Sequence, residues 1–130
     1  MNYLKVLGAS GSKTKDTGTT SFQIFKDIIV DAGNVIGTLG EETLKINHIF
    51  LTHSHSDHII DLPFIIESFF EQREKPLTVY GSKETILSLK KHMFNDEIWP
   101  DFSKIDLLNS DEKALIFKTI EANETVKIGF

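Results

Sequence analysis

The 130-residue chain predicts an α/β fold, a mixed sheet with helices packed on one face. Three observations lead there. Short β-branched and apolar runs, Ile28–Ile29–Val30 above all, read as strands buried in a sheet. Two longer segments, beginning near Asp57 and Ser82, repeat apolar residues at helical spacing and fall between such runs. Clusters of Gly, Ser, Asp and Asn separate the segments as turns.

In order along the chain, Tyr3–Leu7 is a short strand that opens into the small-residue loop Gly8–Thr20. Ser21–Phe25 and Ile28–Asp31 form a hairpin turning at Lys26–Asp27, and "DAGN" (Asp31–Asn34) closes the second strand. Val35–Leu39 is a short helix stopped by Gly40, followed by a turn over Glu41–Lys45. His48–Leu51 is the next strand. A helix then begins at Asp57 or Asp61 and runs to about Gln72. Its apolar face is Ile59, Leu62, Ile65, Ile66, Phe69 and Phe70, and Pro63 is tolerated in its first turn. Leu77–Tyr80 is a strand. Ser82 caps a helix reaching Met93, with Ile86, Leu87 and Leu89 turned inward and Glu84 near its start. A helical turn around Trp99 and strands near Ile105–Leu108, Leu115–Ile120 and Val126–Phe130 complete the reading. The last strand meets the C-terminus without a closing element, which predicts a piece of something longer.

Composition narrows the function. Hydrophobic residues make up 40% and charged residues 25%, the balance of a globular chain rather than a disordered one. A net charge of −5 argues against a surface that coats nucleic acid. A small phosphorylated substrate remains open, because a bound cation supplies positive charge locally. With no cysteine, disulfides and thiolate metal sites are excluded, so any metal is held by nitrogen and oxygen. No signal peptide, and no run near the ~20 apolar residues of a membrane span, is read in the sequence. No membrane partner and a cytoplasmic location are the expectation.

The densest chemistry is "LTHSHSDHII", residues 51–60, which holds three of the five histidines. His53 and His55 stand two apart directly after a strand, so in extended backbone they point the same way. Two such imidazoles can grip one divalent ion at the ~2.0–2.1 Å of zinc–nitrogen bonds. Asp57 and His58 follow where the chain turns into a helix and form a half-site for a second ion. Two cations roughly 3.5–4 Å apart can clamp both the attacked centre and the leaving oxygen. At this composition, H-x-H-x-D-H arises by chance in roughly 1 of 2,000 such chains. His48 and His92 read as ordinary polar residues.

"HSHSDH" after an apolar strand, preceded by "IIVDAG", resembles the metallo-β-lactamase superfamily. The resemblance implies half of an αββα sandwich, with residues 1–130 as the N-terminal part of a single domain. It implies two divalent metal ions, zinc first and manganese or iron as alternatives. His53 and His55 would ligate one ion, Asp57 and His58 the other, and Asp31 would support the metal loop by hydrogen bonding. "LKVLGASGS" and "FLTHSHSDHIIDLPFII" are most similar to class II cyclic-nucleotide phosphodiesterases, then to the tRNase Z branch. Members of the phosphodiesterase pattern usually carry leucine where this chain has Ser56 and glycine where it has Asp61. The implied function is hydrolysis of a small phosphodiester, with Asp57 also holding or shuttling a proton. Ser10, Gly11 and Ser12 offer a possible phosphate loop. The later ligands of the superfamily, a histidine, a bridging aspartate and a final histidine, have no counterpart after His58. The fragment is therefore expected to be weak or inactive alone, and its unfinished face to favour a homo-oligomer. The alternatives are a tRNA 3′-processing nuclease, a thioesterase or a lactonase on the same scaffold, or a fragment that binds metal or a partner without turnover.

Overall fold

A computed structural model describes residues 4–129; Tyr3 and Phe130, both assigned to strands above, lie outside the described residues. Six strands form one sheet in chain order: β1 (Leu4–Gly8), β2 (Ser21–Ile24), β3 (Ile28–Val30), β4 (His48–Phe50), β5 (Leu77–Gly81) and β6 (Leu115–Thr119). β1, β2 and β3 are antiparallel neighbours, while β3 to β6 run parallel. Each parallel step is bridged by helix: α1 (Ile36–Leu39) with a 3-10 turn (Gly40–Lys45), then α2 (Ser56–Ile59) and α3 (Leu62–Glu67), then α4 (Lys83–His92). All three crossovers step the same way across the sheet. With right-handed connections they cover the same face.

That face is the core. Ile29, Ile49 and Val79 lie side by side in register and are fully buried, beneath Leu62, Ile65, Ile66, Ile86 and Leu89 from the helices. Each such side chain contributes about 1.5–3 kcal/mol by leaving water. The opposite face carries the row Val6, Phe22, Val30, Phe50, Tyr80 and Lys118. Phe50 and Tyr80 stack at 4.2 Å, and Val6 is more than half exposed. His48 lies on this outer face with Nδ1 2.9 Å from the Tyr80 hydroxyl, and burial lowers its pKa.

Several elements depart from the sequence reading. The helix expected from residue 57 or 61 to Gln72 is two short helices that end at Glu67. Pro63 has no N–H to continue the ladder, and the Asp61 N–H donates to Ala32 O rather than back along its own helix. Leu87 is exposed, because the buried stripe of α4 runs through Thr85, Ile86 and Leu89 and leaves position 87 on the far side. No helical turn forms at Trp99. Asn95 takes the Glu97 and Ile98 amides on its side chain, a local alternative to helix. Residues 105–108 form only one bridge, Asp106 to Lys113, and residues 126–129 form no strand. Ser82 caps α4 as read, accepting from the Thr85 amide.

Two residues organise the ends of the sheet. At the entry to β4 and β5, Arg73 is buried; its guanidinium donates to Ile46 O at 2.7 Å and to Asn47 Oδ1 at 3.3 Å. Burial pushes its pKa down to about 10, so it remains charged at neutral pH. At the opposite end, a Cβ on Gly33 would stand 2.3 Å from Asp57 O and 2.5 Å from Thr19 Oγ1. Only glycine lets the 51–60 loop pack this closely on the turn after β3. Arg73→Ala is expected to lower unfolding free energy by about 2–4 kcal/mol through lost packing and an orphaned carbonyl; an unchanged urea midpoint would contradict the role. Gly33→Ala should cost about 1–3 kcal/mol, read as a lower melting temperature.

Candidate metal centre

The site lies where parallel β3 and β4 end together. Val30 pairs with Phe50, so Asp31 and the Leu51–Thr52 segment emerge as neighbours. The Asp31 N–H donates to Phe50 O at 2.8 Å and the Leu51 N–H to Tyr80 O at 2.8 Å, which fixes both chains before they leave the sheet. Asp31 is buried with φ of +59°, a left-handed conformation that costs roughly 1–2 kcal/mol for a residue with a Cβ. Ser21 Oγ donates to Asp31 O at 2.7 Å and helps to hold it there.

The Asp31 carboxylate is saturated by donors of the 51–60 loop. Oδ1 accepts from the Thr52 N–H at 2.8 Å, and Oδ2 stands 2.8 Å from Thr52 Oγ1 and 2.7 Å from His58 Nδ1. A buried carboxylate needs such donors to offset its lost hydration. With Nδ1 donating to Asp31, His58 keeps the Nε2 lone pair free, 3.4 Å from Asp57 Oδ2.

His53 is oriented by the same carboxylate at one remove. Thr52 Oγ1 lies 2.9 Å from His53 Nδ1. A hydroxyl has a single proton, and the carboxylate takes it, so His53 Nδ1 donates to Thr52 and its Nε2 is free. Thr52 was not singled out in the sequence; a threonine directly between a strand and the first histidine is the signal that could have found it.

The structure brings the four loop residues together. The His53 and His55 rings meet at 4.6 Å edge to face, and the His53 and His58 rings at 4.2 Å. His55 is the extended residue before α2, and its carbonyl accepts the His58 N–H at 2.9 Å. His53 sits between its neighbours instead of belonging to a separate pair. Three imidazoles and a carboxylate form a donor set suited to a divalent cation. Among the described residues, no group of three or more His, Asp or Glu is arranged to surround one ion unaided.

The remaining candidates stand apart. The Ser10 N–H donates to Gly18 O and the Ser12 N–H to Ser10 Oγ, so both amides are engaged inside their own loop, while Gly11 is exposed. His92 is exposed as the last residue of α4.

Known proteins share these features. Residues 12–128 match the family described as cAMP phosphodiesterases class-II. A 3′,5′-cyclic-nucleotide phosphodiesterase 1 of Saccharomyces cerevisiae is 40% identical over 97 residues, covering 67% of this chain and 26% of the yeast protein. A ribonuclease Z of Methanococcus maripaludis is 50% identical over 44 residues, covering 33% of this chain and 14% of that protein. The crystal structure of unliganded yeast PDE1 superposes with a TM-score of 0.78 at 22% identity, over 97% of this chain and 52% of that one. The chain thus spans about half of the solved relative and 26% and 14% of these two curated ones. The mixed sheet is that of metallo-β-lactamase-fold proteins, and by its match over most of its length the chain belongs to the class-II cAMP phosphodiesterase family.

Proposed function

We propose that the chain carries the metal-binding loop of a phosphodiesterase and works as the N-terminal part of one metallo-β-lactamase-fold domain. The convergence of His53, His55, Asp57 and His58, with two imidazoles held to Asp31 directly or through Thr52, is the observation that carries this reading. Divalent ions, zinc first, would be held by His53 and His55 on one side and by Asp57 and His58 on the other. When bound, such ions supply Lewis acidity and bring the ionisation of water toward neutral pH.

The protein's own groups do the rest. Asp31 keeps the Nδ1 proton on His58 and, through Thr52, on His53, so each ring presents Nε2 to the cation. Asp57, whose Oδ2 lies 3.4 Å from His58 Nε2, would hold a proton released during attack on phosphorus. The substrate class is a small phosphodiester, a cyclic nucleotide in the first instance; the family match and the yeast relative support it. The remainder of the domain would supply the further ligands and cover the apolar row around Phe22, Val30 and Phe50. A cytoplasmic location is part of the proposal; among the described residues no helix is long and apolar enough to cross a membrane.

A second reading, a nuclease acting on tRNA 3′ ends, draws on the similarity to ribonuclease Z; the net charge of −5 favours a small substrate instead.

His55→Ala and Asp57→Asn in the full-length protein are each expected to reduce cAMP hydrolysis by a factor of about 10² or more; unchanged turnover would overturn the proposal. Cleavage of precursor tRNA without cyclic-nucleotide turnover would select the second reading. Thr52→Val should weaken zinc binding about tenfold or more while leaving the melting temperature of the metal-free protein within a few degrees. Chelator-competition titration and calorimetry provide the check.

A further inference from the structure

Asp61 lies three residues beyond the last loop histidine; its carbonyl accepts the Ile65 N–H of α3 at 2.9 Å, while its side chain makes no capping bond to that helix. Its carboxylate reaches across to the start of α1: Oδ2 accepts from the Val35 N–H at 2.7 Å and from the Ile36 N–H at 3.0 Å. These amides open a helix, where no intrahelical carbonyl is in reach, and Val35 brings no side-chain cap of its own.

The backbone on either side is stitched to the same turn. The Ala32 N–H donates to His58 O at 2.7 Å, and the Asp61 N–H donates to Ala32 O at 2.9 Å. Together with the His58–Asp31 contact at 2.7 Å, these bonds join His58 and Asp61 to Asp31, Ala32, Val35 and Ile36. The Asp61 carboxylate supplies the two outermost bonds and, among the described residues, the charged acceptor at that end. Charge-assisted bonds are roughly twice as strong as neutral ones.

We propose that Asp61 is a positioning residue for the metal loop: it clamps the turn after β3 against the loop so that Asp31 stays on Nδ1 of His58 and His58 stays turned toward the cation site. The clamp acts through backbone, since Asp61 touches neither His58 nor Asp57 by a side-chain hydrogen bond. Without it, the hydrogen bonds that tie the 31–36 turn to the loop, among the described residues, are those of Ala32 and of the Asp31 side chain, beside the close packing of Gly33 on Asp57. A small swing of that turn withdraws the carboxylate from the ring. The cation part of this inference rests on the metal reading of residues 53–58; the clamp itself does not.

The test uses the full chain as Asp61→Ala and Asp61→Asn. In the unaltered, metal-free protein, long-range 1H–15N spectra are expected to show His58 as the Nδ1–H form alone. The Val35 and Ile36 amides should exchange at least tenfold more slowly than in a free chain. Asp61→Ala should speed exchange at those two amides about tenfold, bring the second tautomer of His58 into view and weaken zinc binding by a factor of about 10. Asp61→Asn, which keeps an acceptor oxygen, should restore the single tautomer and most of the affinity. Should Asp61→Ala lower the melting temperature but leave the His58 tautomer unchanged, the residue is structural only and the inference falls. It falls equally if Val35 and Ile36 exchange at free-chain rates in the unaltered protein, a measurement that needs no variant to fold. If the unaltered chain binds no zinc while the tautomer and exchange results hold, the metal reading fails and the clamp stands.

Discussion

A single buried carboxylate ties the site to the sheet. Asp31 accepts from the Thr52 amide and hydroxyl and from His58, while its own backbone is held by Phe50 and Ser21. A carboxylate removed from water is costly unless it is surrounded by donors. The loop that supplies those donors is therefore drawn onto the end of β3. The consequence is chemical as well as structural, because every proton Asp31 engages on an imidazole Nδ1 leaves an Nε2 lone pair facing outward. The left-handed backbone at Asp31 is a cost the surrounding bonds offset.

The two ends of the parallel strands use opposite solutions. Where β4 and β5 begin, a buried cation, Arg73, satisfies carbonyl oxygens that have no strand partner. Where β3 and β4 end, a buried anion gathers amide, hydroxyl and imidazole donors. Between them the core is plain aliphatic packing of Ile29, Ile49 and Val79 against helices. The arrangement separates stability from chemistry: the apolar layer holds the strands parallel and in register, and the register alone makes Asp31 and Thr52 neighbours.

Local patterns carried much of this in advance. The strand at Ile28, the Ser82 cap and the H-x-H-x-D-H spacing each depend on residues within a few positions of one another, so they are legible in one dimension. Asp31 was legible only through resemblance, since a turn aspartate and a buried anchor look alike in sequence. Thr52 and Asp61 were not read as site residues. Their partners lie 21 and 25–26 positions away, and no periodicity marks such contacts. The break between α2 and α3 was missed for the same reason: helical spacing continues through it, while the Asp61 amide is claimed by Ala32 from another segment.

By itself the sequence determined the class of fold, the strand–loop–helix setting of the histidines and the identity of the donor atoms, because backbone propensity, side-chain alternation and ligand chemistry are local properties. Tertiary structure alone decided which imidazole nitrogen is engaged, which carboxylate orients it, and where the helix after the loop breaks. Those outcomes follow from the parallel pairing of β3 with β4, which brings groups distant in the chain to within hydrogen-bonding reach, and buried polar groups must find partners wherever the fold delivers them.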